Sequence, residues 1–296
     1  MENVRKPPWL KKRISLGSDM YKVYALLREA RLHTVCEEAH CPNLAECYSR
    51  QTATFMIMGN ICTRNCRFCA ITQGTPVPLD DKEPRRVAFA AHQLGLQYVV
   101  ITSVTRDDLP DGGAQHFAKT VCAVKEQQPK TLVELLVPDF RGNFASLDVI
   151  LSSRPDVLNH NVETIPRLYP RVRPEADYRR SLNLLRRAQS PNPSVVTKSG
   201  LMLGLGERKS EVTRVMQDLL DIDCRLLTLG QYLQPSKQHH PVIRYLHPEE
   251  FEDYKALGER MGFMAVASGP FVRSSYGAAQ MYRKSHEHTP GIRSAD

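Results

Sequence analysis

No stretch of this 296-residue sequence approaches the roughly 18 consecutive apolar residues that cross a bilayer. The opening residues, MENVRKPPWLKKR, lack an apolar core, so no secretory signal is expected. They are also too rich in proline and too poor in serine for a transit peptide. Aromatic residues are scarce, at 7% with a single tryptophan. Basic residues come in small groups (Lys11-Lys12-Arg13, Arg85-Arg86, Arg179-Arg180, Arg186-Arg187), with no long run and few interleaved aromatics. That pattern argues against a nucleic-acid platform. Internal repeats and low-complexity tracts are absent. The glycine-containing segment 200–206 carries no G-K-[ST], which sets aside a nucleotide-phosphate loop. A cytoplasmic protein with neither nucleic acid nor membrane as partner is the default expectation.

What is present is a hydrophobic content of 42% and a net charge of +8, enough for one sizeable core and compatible with an acidic protein partner. Eight cysteines are distributed very unevenly. Cys36, Cys41, Cys47, Cys62, Cys66 and Cys69 crowd one short segment, whereas Cys122 and Cys224 stand alone and read as core thiols. A disulfide framework staples the whole length of a small secreted chain; clustered thiols in a cytosolic one usually bind metal.

From Ala53 onward, β-rich runs alternate with amphipathic stretches. Strands are expected at 53–58, 97–102, 132–137, 156–159, 195–198, 225–229 and 263–267, and helices at 83–95, 113–127, 143–152, 177–189, 207–221 and 248–261. Such alternation implies right-handed βαβ units and a parallel sheet. The expected fold is α/β, a partial (β/α)6-type parallel barrel with N-terminal and C-terminal extensions; an open doubly wound sheet is the alternative. The divisions expected are 1–50, 51–270 and 271–296. Before the barrel, residues 1–17 read as an irregular basic arm, and Asp19 as the cap of a helix through Met20, Val23, Leu27 and Ala30.

Cys62-x3-Cys66-x2-Cys69 follows the first strand and so belongs at the C-terminal mouth of a parallel barrel. Three thiolates on a short loop can ligate three irons of a 4Fe–4S cluster and leave the fourth iron open to a small molecule. Zinc or inert buried thiols are the alternatives that spacing leaves. The second trio, Cys36-x4-Cys41-x5-Cys47, is ambiguous by itself among zinc, structural thiols and another cluster.

The C-x3-C-x2-C set, with Phe68 before its last cysteine, resembles the signature of the radical S-adenosylmethionine (SAM) superfamily. The upstream trio, together with Arg273-Ser274-Ser275-Tyr276, is similar to the lipoyl synthase family, and the resemblance runs from Arg5-Lys6-Pro7-Pro8-Trp9-Leu10 to that motif. It implies two 4Fe–4S clusters and SAM. One cluster would lie on Cys62, Cys66 and Cys69, and an auxiliary one on Cys36, Cys41 and Cys47 with Ser275 as fourth ligand. Those three cysteines and Ser275 would then be catalytic, because the auxiliary cluster donates sulfur. The implied SAM contacts are Thr102, Ser103 and Asp107 in the loop after the second strand, Asn161 and Glu163 after the fourth, and Lys198, Gly200 and Met202 around the fifth. Gly200 to Glu207 is similar to a G-x-I-x-G-x-x-E element that supports adenine, and Gln231 to Ser236 is similar to a G-Q-Y-L-x-P-S segment. The implied reaction inserts sulfur at C6 and C8 of an octanoyl chain on a lysine of a lipoyl carrier domain (an E2 subunit or the glycine-cleavage H protein). The partners implied are that carrier, an electron donor such as ferredoxin or flavodoxin, and an iron–sulfur carrier protein. A biotin-synthase-like sulfur inserter and a non-catalytic zinc module are the rival readings. His239-His240 reads as a loop pair.

Overall fold

The computed structural model describes residues 5–12, 18–189 and 195–287. Residues 1–4 and 13–17 of the expected basic arm, and 288–296 of the expected C-terminal extension, lie outside them. The described part of the arm contains one 3-10 turn, Pro8–Leu10, whose Leu10 is buried. The neighbouring Trp9 indole donates to the Leu246 carbonyl at 3.2 Å.

Before the barrel come α1 (Ser18–Glu29), β1 (His33–Thr34), α2 (Val35–Glu38) and α3 (Leu44–Ser49). Asp19 sits inside the first turn of α1, paired with Lys22 at 2.7 Å, rather than at its cap. Met20, Val23 and Leu27 bury the predicted face of α1 in the same core as the first barrel strands.

The barrel strands are β2 (Thr54–Ile57), β5 (Tyr98–Ser103), β6 (Leu132–Leu136), β7 (Val157–Asn159), β8 (Val196–Leu203), β9 (Leu226–Gln231) and β10 (Ala265–Gly269). A two-stranded ribbon, β3 (Ile61–Cys62) with β4 (Thr72–Gln73), brackets the cysteine loop. The crossovers are α4 (Glu83–Gln93), α5 (Ala114–Gln127), α6 (Phe144–Ser152), α7 (Tyr169–Val172) with α8 (Tyr178–Gln189), α9 (Lys209–Leu220) and α10 (Pro248–Met261). All seven barrel strands pair in parallel in chain order. Only β1 joins antiparallel, on the outer edge of β2. Among the described residues the two ends of the sheet do not pair, so the expected partial barrel of six βα units is what forms.

Local chemistry explains the boundaries. Asn143 caps α6 by accepting from the Ala145 and Ser146 amides, a contact worth about 1 kcal/mol. Pro248 opens α10 at a position where no amide bond is lost, and Gly262 ends it at φ +111°. Two readings need correction. The expected strand 195–198 extends to Leu203, which puts Gly200 and Met202 on a central strand and not in a loop. Glycine signals a loop in sequence; here it permits close approach, since a Cβ on Gly200 would lie 2.4 Å from Thr228 Oγ1. Cys122 is exposed, because α5 buries Phe117, Thr120, Val121 and Val124 and turns position 122 to solvent; Cys224 is buried as expected.

After β10 the chain crosses the barrel mouth as a strap, residues 270–277, and continues as α11 (Ala278–Glu287). Met281 packs on Leu226 and Ala265, the first residues of β9 and β10, and the Tyr282 ring lies 5.9 Å from Tyr98, the first residue of β5. Thus α11 closes the barrel at the end opposite the mouth. Among the described residues no helix is long and apolar enough to cross a membrane.

Candidate active site

The C-terminal ends of the parallel strands surround one cavity of about 780 Å³. All six clustered cysteines line it, together with Ser275. The two trios, separate in sequence, thus share one chamber. Cys62 ends β3, and Cys66 and Cys69 sit on the loop that links β3 to β4, where Thr63 donates to the Thr105 carbonyl at 3.0 Å and the Arg67 amide to Val172 at 2.9 Å. His239 and His240 are a loop pair as read, and they hold this loop. His239 Nε2 donates to the Cys69 carbonyl at 3.0 Å, and the His240 amide to that of Arg67 at 2.7 Å.

Beneath the loop lies a buried ion triad. Arg64 reaches Asp107 at 2.6 Å and Asp139 at 2.7 Å. Burial would raise the Asp139 carboxyl, but the bond and charge of Arg64 more than offset it and hold the group below the usual range. Removing one member of such a set strands its partner's charge, at a cost of about 3–5 kcal/mol. Asp107 is therefore occupied as a buttress and does not line the cavity. Lys198 does not line it either, being wholly buried against Glu134 at 2.9 Å.

The other expected SAM contacts, Thr102, Ser103, Asn161, Glu163, Gly200 and Met202, all line the cavity. Thr102 spends its hydroxyl on the Leu136 carbonyl at 3.0 Å, while the buried Ser103 Oγ has no partner among the described residues. Glu163 adopts φ +64°, and its carboxyl is raised above the usual range by desolvation, against the lowering charge of Arg173. Glu207 closes the glycine turn by accepting from the Gly204 and Leu205 amides at 2.6 and 2.9 Å.

Arg173 was not read as a site residue from sequence. It is buried, lines the cavity, stacks over Tyr169 at 5.2 Å, and donates to the Asn161 carbonyl, while its Nε has no partner among the described residues. A guanidinium with an unspent N–H beside Cys66 suits a carboxylate. Its only sequence signal was one arginine among many in R-V-R-P.

Segments from early and late in the chain meet beside Cys41 and Cys47. Asn43 donates to the Phe271 carbonyl at 2.7 Å and the Tyr276 hydroxyl to Glu46 at 2.9 Å. Lys12 bonds Asn43 and Glu46 and lies 5.3 Å from the Phe271 ring centre. This stapling sets Ser275 on the wall of the cavity that Cys36, Cys41 and Cys47 also line.

The thiol sets suit iron–sulfur ligation. Backbone amides of Arg64 and Thr105 point at Cys62 Sγ at 3.5 and 3.3 Å, a contact that favours a ligating thiolate. Burial pushes Cys36 and Cys69 up to about 12 and Cys47 and Cys66 up to about 11, so metal must displace their protons. Among the described residues, no three His, Cys, Asp or Glu side chains converge on the position of a single metal ion.

A partial parallel barrel with a three-cysteine loop at its mouth defines a class, and residues 56–219 match the Radical SAM superfamily. SAM and a 4Fe–4S cluster are the cofactors of that class. Residues 1–41 match the N-terminal domain of lipoyl synthase of the radical SAM family. A lipoyl synthase of Caldanaerobacter subterraneus is 60% identical over 93% of this chain and 96% of its own. One of Aquifex aeolicus is 57% identical over 88% and 95%. This chain belongs to the lipoyl synthase family, radical SAM sulfurtransferases of lipoyl cofactor biosynthesis. Among solved structures, HydG, a maturase of the [FeFe]-hydrogenase, shares the fold with TM-score 0.56 and 14% identity, over 90% of this chain and 67% of that one. SuiB of Streptococcus suis bound to SAM does so with TM-score 0.53 and 12% identity, over 80% and 52%.

Proposed function

We propose that the protein inserts sulfur at C6 and C8 of an octanoyl chain amide-linked to a lysine of a lipoyl carrier domain, with an auxiliary 4Fe–4S cluster on Cys36, Cys41, Cys47 and Ser275 as the sulfur-donating substrate. The observation that carries this reading is that both cysteine trios and Ser275 line one cavity. When bound to the cluster of Cys62, Cys66 and Cys69, SAM supplies a 5′-deoxyadenosyl radical, one SAM for each hydrogen removed.

The chain's own residues bind, orient and shield. Arg173 and the Ser103 hydroxyl would receive the methionine carboxylate and amine, and Asn161 and Glu163 line the same cavity. Gly200 and Met202 offer a narrow wall for the adenine. Met56, Leu96 and Val100 give the cavity an apolar stretch of wall, where an acyl chain would lose water at a gain of about 25 cal/mol per Å². Lys6 and Arg50, which line the same cavity, put positive charge where an acidic carrier (an E2 domain or the H protein) would dock. Ser275 is a hard oxygen donor in a thiolate set and so a weaker hold on iron, as suits a cluster that gives up sulfide. A ferredoxin or flavodoxin as electron donor, and an iron–sulfur carrier protein that rebuilds the cluster, complete the proposal.

The test combines anaerobically reconstituted protein, reductant, SAM and an octanoyl-lysyl peptide. Mass spectrometry is expected to show a peptide gaining two sulfur atoms along with 5′-deoxyadenosine. Deoxyadenosine without sulfur on the peptide would sink the assignment. Ser275→Ala is expected to reduce doubly thiolated product by at least tenfold.

A further inference from the structure

Side chains from four neighbouring strands meet inside the barrel. Glu134 of β6 accepts from Lys198 of β8 at 2.9 and 3.1 Å, from the Tyr98 hydroxyl of β5 at 2.7 Å, and from Asn159 Nδ2 of β7 at 2.8 Å. The Lys198 and Glu134 side chains are both 0% exposed. A buried ion pair of this kind adds little stability over an apolar pair of the same shape. What it does supply is a fixed direction.

The carboxylate decides how the Asn159 amide points, because the flipped amide would aim an oxygen at the negative charge. Among the described residues the buried Asn159 Oδ1 is left without a partner, a cost accepted so that both N–H groups face their acceptors. One goes to Glu134; the other goes to Ser274 Oγ on the strap, at 2.8 Å. Ser274 therefore accepts from Asn159 and donates its only proton to Asn161 Oδ1, at 3.0 Å. As an alkoxide it would face that amide oxygen with no proton between them. The next residue, Ser275, lines the cavity, and among the described residues its hydroxyl makes no hydrogen bond. Gly230 lets the strap lie this close, since a Cβ there would meet the Val272 carbonyl oxygen at 2.1 Å.

We propose that the Glu134–Lys198 pair, acting through Asn159, ties Ser274 to the barrel and so selects Ser275, of two adjacent serines, as the oxygen ligand of the auxiliary cluster. Ser274 and Asn159 are then positioning residues. The proposal rests on the reading of Ser275 as that ligand.

The experiment uses the full chain reconstituted with ⁵⁷Fe and SAM-free, with Mössbauer spectroscopy to count the oxygen-ligated iron subsite against total iron. Ser275→Ala is expected to abolish that subsite. Ser274→Ala and Asn159→Ala are expected to keep total iron yet reduce the oxygen-ligated fraction at least threefold, and Ser274→Thr, which retains the hydroxyl, to restore it. If Ser275→Ala loses the subsite while Ser274→Ala and Asn159→Ala keep it in full, the positioning role is overturned and the ligand reading stands. If Ser275→Ala keeps the native spectrum, the ligand reading itself fails. Should Ser274→Ala not hold iron, Asn159→Ala and Ser274→Thr decide the matter, because both keep a hydroxyl at position 274; a native subsite in Asn159→Ala then overturns the role.

Discussion

His160 shows how much a single buried side chain can commit. It follows β7, donates from Nδ1 to the Val137 carbonyl at 2.8 Å and lies 3.0 Å from Ser181 Oγ. Burial foremost, with the nearby Arg173 and Arg64 charges, pulls its pKa down to about 4, although the Val137 bond and Asp139 oppose this. The unfolded chain then binds a proton that the folded one refuses between about pH 6.5 and 4, so stability falls as pH drops through that window. The loss is on the order of 3 kcal/mol once complete. Urea unfolding across pH 7 to 4 is expected to show this slope in the native chain and a flatter one in His160→Gln. Parallel slopes would disprove the account. Sequence marked this strand end through Asn161 and Glu163. It could announce the cysteines, whose spacing is their own signal, but not Arg173, nor that Asp107 and Lys198 are spent on buried partners, since those facts depend on which side chains from other strands arrive beside them.

At the scale of elements, the strap depends on the strand beneath it. An added methyl at Gly230 collides with backbone, which cannot rotate away as a side chain would. Gly230→Ala is expected to cost about 1–3 kcal/mol as overpacking. It should also remove hydrogen-exchange protection from the Val272 and Tyr276 amides, which bond to Gly269 and Arg273. Retained protection would show that the strap tolerates the methyl. The seven strands and six crossover helices were legible because period-2 and period-3.6 patterns are local. β8 was read too short because its second half contains a glycine whose purpose is a contact with Thr228 and Asn161. The short elements β1, α2, α3, β3 and β4 left no periodic signal, being two to six residues long. Helix α11 follows the R-S-S-Y motif without a strand to mark its place.

For the whole molecule, α11 is the floor of the barrel. A chain ending at Gly277 keeps Ser275 but uncovers Leu226, Ala265 and Tyr98. Loss of buried Met281 alone removes about 1.5–3 kcal/mol. That truncation is expected to lower the melting temperature by several degrees and to raise binding of a hydrophobic dye; an unchanged melting curve would mean that α11 is not part of the core. The meeting of the Glu46 segment with the strap has a larger consequence. Glu46 and Tyr276 touch although 230 positions apart, and on the proposed reading iron bridges the same two segments. Such a bridge is a clasp on almost the entire polypeptide, and a clasp gains most where the loop it closes is longest. Each turnover that strips sulfide from it would undo the clasp, leaving hydrogen bonds such as those of Asn43 with Phe271 and Tyr276 with Glu46 to hold the two segments together. Spent protein would then be the looser form, opened at the place where a new cluster must enter.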